Sequence, residues 1–187
     1  KLDAGWRKLM TGMGVEFMDQ RALDLFKAAG QKVEENKVFL DPDFVLEQVA
    51  KAPREFDIQA RNPANTVHIG GDHMAFGAVY GPPFVREGEV RRTASMADFR
   101  NFVKLAQSSV LDSAGGVVCE PDDTPLDSRH LDMIYDLATL TDKIFMGNVV
   151  SGVNATDTVN MASILFGGGD PEAGRASIEQ TPATISL

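Results

Sequence analysis

The chain is 187 residues long, 43% hydrophobic and 24% charged, with a formal net charge of −9 at pH 7. These proportions belong to a globular protein long enough to bury a core, and the lack of any run of about 18 apolar residues excludes a helical membrane span. The acidic balance opposes a nucleic-acid backbone, and a single cysteine, Cys119, excludes an internal disulfide or a cysteine-rich zinc site, so the expected setting is cytoplasmic.

Residues 1–70 carry mixed signals. Residues 2–10 read as a helix closed by Gly12 and Gly14. Asp19 is placed to cap a second helix to Lys27, with Leu23, Leu25 and Phe26 inward and Gly30 as its stop. Extended pieces at 31–34 and 37–40 meet at Glu35-Asn36. Asp41-Pro42 then supplies a cap and first-turn pair for a third helix, whose stripe is Val45, Val49 and Ala52. Pro53 closes it. Strands at 55–60 and 66–69 alternate in hydropathy across the turn Arg61-Asn62-Pro63-Ala64-Asn65. The expectation for residues 1–70 is a helical extension with a small β-hairpin.

From residue 73 one unit repeats. Apolar runs at 73–80, 113–120, 143–150 and 183–187 alternate with amphipathic stretches at 96–107, 128–141 and 155–167, the last closed by Gly167-Gly168-Gly169-Asp170-Pro171. A strand-to-strand spacing of roughly 30 to 40 residues is that of parallel βαβ units. Two architectures fit: an open doubly wound sheet, or the first half of an eight-stranded barrel over residues 71–187. The sequence opens on Lys1 and stops inside a run at Leu187, so the expectation is the front part of a larger α/β protein.

A barrel carries its site at the carboxyl ends of its strands, which directs attention to four residues. The first run leaves through Tyr80-Gly81-Pro82-Pro83-Phe84, either a rigid turn and nothing more or a pocket wall with Tyr80 and Phe84 as aromatic surface. The second run ends at Glu120, a carboxylate able to pair with a cation or act as a base. Its bland alternative, shared with Asp122 and Asp123, is a solubilising loop or a cap for the next helix. The third run ends at Gly147-Asn148, where Asn148 can hydrogen-bond a bound group. Cys119 reads as a packed apolar side chain. Arg86, Arg91 and Arg92, interrupted by Glu87 and Glu89, read as a solvated loop. His68, His73 and His130 lack partners at metal-ligand spacing, and no metal is expected.

Several ordered segments together resemble one family. They are Gly14-Val15-Glu16-Phe17, Ala22-Leu23-Asp24-Leu25-Phe26-Lys27-Ala28-Ala29-Gly30, Ala60-Arg61-Asn62-Pro63 and Val67-His68-Ile69-Gly70-Gly71. The series continues with Gly81-Pro82-Pro83-Phe84-Val85, Phe102-Val103-Lys104-Leu105-Ala106-Gln107, Arg129-His130-Leu131-Asp132 and Leu140-Thr141-Asp142-Lys143. Spread over essentially the whole chain, they resemble the trimethylamine methyltransferase family of corrinoid-dependent enzymes.

The resemblance implies a TIM-type barrel with an N-terminal helical extension, and transfer of a methyl group from a methylated amine to the Co(I) corrinoid of a separate protein. The chain itself is then expected to bind no cofactor directly. Its partners would be that corrinoid protein and a small methylated amine, with homo-oligomers possible within the family. Trimethylamine enzymes of the family carry pyrrolysine, whereas many relatives lack it and act on quaternary amines such as glycine betaine. The deciding position falls outside this sequence, and the betaine branch is preferred. A quaternary ammonium is best held over aromatic faces and near a carboxylate, roles open to Tyr80, Phe84 and Glu120. No catalytic residue is carried over.

Two rivals remain. A corrinoid carrier or other open α/β ligand-binding domain needs Asp-x-His-x-x-Gly, and Asp72-His73-Met74-Ala75-Phe76-Gly77 places the histidine one position early. A half-barrel from a truncated or split gene would expose two sheet edges, and on that reading the isolated piece binds no amine and transfers no methyl group.

Overall fold

A computed structural model describes residues 1–147 and 150–180, and the chain forms two compact units, one ending at Pro53 and one starting at Arg54. In the first unit, helix α1 (Leu2–Lys8) runs into a wide π turn, Leu9–Met13, and Gly14 at φ 69° turns the chain into β1 (Val15–Glu16). Asp19 caps α2 (Gln20–Ala28) by accepting from the Ala22 N–H at 2.9 Å, and Gly30 at φ 79° ends it. The expected extended pieces become strands β2 (Lys32–Glu34) and β3 (Lys37–Phe39), paired as a hairpin, and β1 adds to give an antiparallel sheet of order β1-β3-β2. Val38 on the central strand is fully buried. Helix α3 (Pro42–Val49) begins at the Asp41-Pro42 pair, with Asp41 accepting from the Asp43 N–H.

The second unit opens with antiparallel strands β4 (Glu55–Ile58) and β5 (Val67–Gly70), paired from Glu55–Gly70 to Ile58–Val67. Gly70 sits at φ 110°, and a Cβ there would lie 2.2 Å from the Arg54 carbonyl oxygen. Only glycine fits.

The apolar runs then lie side by side in parallel. Single parallel bridges join Gly77 to Ser113 and Ser113 to Ile144. Around them the Ser113 N–H donates to the Phe76 carbonyl at 3.1 Å, Ala114 N–H to Ile144 at 3.0 Å and Met146 N–H to Gly115 at 2.9 Å. Helix α4 (Met96–Ser108) connects the first run to the second, and α5 (Arg129–Leu140) the second to the third. Phe99, Val103 and Ala106 of α4 and Met133 and Leu137 of α5 close on Ala114, Val117, Cys119 and Phe145 in one buried cluster. Helix α6 (Gly152–Phe166) adds Ala162 to the buried apolar set.

Two expectations need correction, and a third gains an addition. The first run forms no continuous ladder, because Asp112 takes the Phe76 N–H at 2.8 Å with its carboxylate where a strand neighbour would. Arg86, Arg91 and Arg92, read as a solvated loop, lie in the antiparallel hairpin β6 (Phe84–Glu87) and β7 (Val90–Thr93), turned at Gly88 with φ 58°. Charged residues on both of its faces hid the alternation. The Gly167–Pro171 run does close α6, which ends at Phe166, and its Asp170-Pro171 also starts α7 (Pro171–Gln180), with Asp170 accepting from the N–H groups of Glu172 and Ala173. The run at 183–187 lies outside the described residues. No described helix is long and apolar enough to cross a membrane.

Candidate functional site

The exits of the first two runs stay together beyond the last bridge. The Gly81 N–H donates to the Val117 carbonyl at 2.6 Å and the Glu120 N–H to the Pro82 carbonyl at 3.0 Å. The β6–β7 hairpin hangs from this rim. At its base the Ala94 N–H donates to Pro83 at 3.2 Å, and the Asp122 N–H to Ala94 at 2.8 Å. The sequence therefore converts two prolines and two glycines into a fixed carboxyl-end ledge.

Tyr80 stands on that ledge with half its surface open, its ring laid against Gly116. A Cβ at Gly116 would lie 3.0 Å from the ring and 2.7 Å from the Met146 carbonyl oxygen, so the absence of a side chain there seats both the ring and the third run. Phe84 lines a different place, an apolar cavity of about 590 Å³ with Val79, Pro82, Phe102 and Leu105. Cys119 is also on its wall, fully buried, and burial, with smaller contributions from Asp98 and Asp123, pushes the thiol up to about 11. It is a neutral packed thiol at physiological pH.

The carboxylates after the second run divide their work. Asp123 accepts from the Met96 N–H at 2.8 Å and so caps α4, not the following helix. Glu120 keeps an exposed carboxylate 3.5 Å from the Arg129 guanidinium. The hairpin arginines divide too. Arg92 grips Asp98 with both nitrogens, at 2.6 and 2.8 Å, holding that carboxyl well below the usual carboxylate range, while Asp98 also completes a capping box with Ser95. Arg91 instead places its guanidinium carbon over the Phe84 ring, 3.9 Å from its centroid. Asn148 falls outside the described residues. Of the four sequence-chosen residues, Tyr80 and Glu120 share the ledge, and Phe84 stands at the root of the hairpin above it.

The chain matches the trimethylamine methyltransferase family model over residues 1–184. It belongs to that family. It is 40% identical, over its full length, to the glycine betaine methyltransferase of Desulfitobacterium hafniense (strain Y51), covering 38% of that protein. It is 29% identical over 79% of its length to the proline betaine:corrinoid methyltransferase of Eubacterium limosum, covering 31% of it. The chain thus spans little more than a third of the length of these curated relatives.

Several segments that carry the trimethylamine methyltransferase resemblance meet at the other end of the runs, a convergence that sequence reading missed. The Asp142 carboxylate accepts from the side-chain amides of Asn62, Asn65 and Gln107, each at 2.8–2.9 Å. Those hydrogen bonds, Asn62's foremost, lower its pKa. Arg61 donates to the Thr141 carbonyl at 3.0 Å, and Lys143 Nζ donates to the carbonyls of Ala106, Ser109 and Leu111 where α4 ends. Recurrent Asn, Asp and Gln at turns flanking helices were the available signal. Elsewhere buried His130 contacts Asp157 at 2.8 Å, and His68 contacts Asp57 at 2.7 Å, which raises its pKa. Among the described residues no group of three or more His, Cys, Asp or Glu is placed to hold a metal.

Proposed function

We propose that this chain is the front part of a methyltransferase that moves a methyl group from a quaternary amine of the betaine type to the Co(I) corrinoid of a separate partner protein. One observation carries the reading: both named relatives are betaine methyltransferases, and similarity to the first runs the full length of the chain. The proposed architecture is an extension over residues 1–70 and the first half of a (β/α)8 barrel over 71–187. Three parallel runs separated by α4 and α5 support it, as does a first run whose outer edge carries exposed Met74, Phe76 and Val79. A cytoplasmic setting fits the same reading.

The reaction is a displacement at a methyl carbon: the carbon–nitrogen bond breaks, its electron pair stays on nitrogen, and a tertiary amine leaves as product. The nucleophile comes from the partner's corrinoid, so the chain's task is to hold and align the donor and exclude water. A neutral, buried Cys119 accords with that division of labour. A quaternary ammonium offers no N–H, and so is held by a ring face and diffuse negative charge. Tyr80 supplies the face, Glu120 the charge and Phe84 the aromatic rim. Asn148 completes the proposed substrate set.

The test is methyl transfer by the full-length protein with its corrinoid partner reduced to Co(I), followed by NMR detection of dimethylglycine from glycine betaine. Tyr80→Leu is expected to raise KM roughly tenfold, the worth of a partly desolvated cation–π contact, without moving the melting temperature. No transfer from glycine betaine, proline betaine or trimethylamine would refute the proposal.

A further inference from the structure

Glu120 is fixed firmly at its backbone and loosely at its carboxylate. Its N–H donates to the Pro82 carbonyl at 3.0 Å, and the next residue, Pro121, is fully buried and bridged to Ala94. The Glu120 side chain is 46% exposed and has one partner among the described residues, the Arg129 guanidinium at 3.5 Å. Without that partner the carboxylate would spread over several rotamers in water.

Arg129 is placed for this task and not for its own helix. It is the first residue of α5, where a cation opposes the helix dipole. Ser128 before it makes no side-chain cap, whereas Asp19, Asp41, Ser95 and Ser151 each cap the helix they precede. The offsetting contacts come from outside α5. The Ser128 and Arg129 N–H groups both donate to the Pro125 carbonyl, at 3.3 and 2.8 Å, which folds the connecting loop back on itself. Arg129 Nη1 then donates to the Pro121 carbonyl while Nη2 faces Glu120, so one planar guanidinium holds the backbone of one residue and the carboxylate of its neighbour. The Arg129 side chain is only 16% exposed, so the pair is anchored from its buried end.

We infer that Arg129 is a positioning residue for methyl transfer: it holds the Glu120 carboxylate in the orientation that meets the substrate's ammonium. This rests on the methyltransferase reading and on the place of Glu120 in it. Two effects of the guanidinium oppose each other. Its charge repels a bound ammonium, while its grip removes the ordering that Glu120 would otherwise undergo on binding. The charge is committed to Glu120 and screened by water at a half-open rim, so the grip is the larger effect.

The experiment is a double-mutant cycle on the full-length protein with its Co(I) corrinoid partner: wild type, Arg129→Gln, Glu120→Gln and the double variant, each read as KM for glycine betaine. Arg129→Gln is expected to raise KM roughly tenfold, the worth of one charge-assisted contact. With Glu120 already replaced, the same change should add less than about twofold. Arg129→Lys keeps the charge but loses the planar fork, and should recover only part of the loss; it takes the place of Arg129→Gln in the cycle if that variant does not fold. A fall in KM for Arg129→Gln overturns the inference, because repulsion would then be the larger effect. An equal rise in both backgrounds also overturns it, since that marks a structural role independent of Glu120, and so does an unchanged KM in Glu120→Gln. Wild-type protein that transfers no methyl group from any betaine defeats the functional reading itself, and this inference falls with it.

Discussion

The two ends of the parallel runs are built on different physical terms. At the amino end, Asp142 and Lys143 are saturated: one carboxylate receives amide donors from a turn and from α4, and one ammonium closes the carbonyls that α4 leaves open. At the carboxyl end, Tyr80 and Glu120 keep half-open side chains, held in place by backbone bonds and by Gly116. A saturated network fixes geometry, and an open one is left to meet a ligand. On the proposed barrel reading, stability and activity separate in this way, and substitutions at the two ends are then expected to leave different signatures.

The largest effect is expected at the saturated end. Lys143→Met removes an ammonium from the carbonyls of Ala106, Ser109 and Leu111, leaving them to water or to nothing. A cost of about 2–3 kcal/mol in unfolding free energy is expected, read by urea denaturation, with turnover per folded molecule kept. Lost turnover at full stability would erase the contrast. Gly116→Ala should act at both ends of that contrast. Its methyl group would press on the Met146 carbonyl oxygen at 2.7 Å and displace the Tyr80 ring. The melting temperature should fall because main chain has to shift, and turnover per folded molecule should also fall, roughly tenfold to a hundredfold, as for a reacting group misplaced by about 1 Å.

A finer probe is pH. Asp142's pKa is lower in the folded protein than in the unfolded chain, chiefly through Asn62 and Gln107. Its stabilisation is therefore whole above the ordinary carboxylate value, about 4, and is lost as pH falls through the folded value. The stability gap between wild type and Asp142→Asn should narrow steadily from pH 5 downward in acid-unfolding titrations. A gap that stays constant would mean that the amide network does not depend on the carboxylate's charge.

Local chemistry made much of the fold legible. Asp19, Asp41-Pro42 and Gly30 mark helix ends because caps are decided by a few adjacent groups, and α4 and α5 followed from apolar periodicity. The hairpin at 84–93 escaped because its pattern is charge on charge, and it is pinned by Arg92–Asp98 and Val85, contacts a linear reading cannot form. For the same reason the Asp142 network was invisible: Asn62 and Asp142 are 80 residues apart. At the ledge, the exit turn after Tyr80 was readable, whereas Arg91 over Phe84 depends on strand register, and register requires the hairpin first.

The smallest expected effect tests whether the cavity beside the ledge is inert. Cys119 sits on the wall of that cavity, yet burial holds its thiol near 11 against an ordinary value near 9. A thiol that the unfolded chain ionises first must weaken the fold as pH rises from about 9 toward 11, since there the unfolded state holds fewer protons. At neutral pH it should be silent. Iodoacetamide at pH 7.5, with peptide mass spectrometry as the readout, is expected to leave Cys119 unlabelled in native protein and label it fully in denaturant. Rapid native labelling would reveal a reactive, water-reached thiolate, and the division between an open ledge and a closed, chemically quiet interior would no longer hold at this wall.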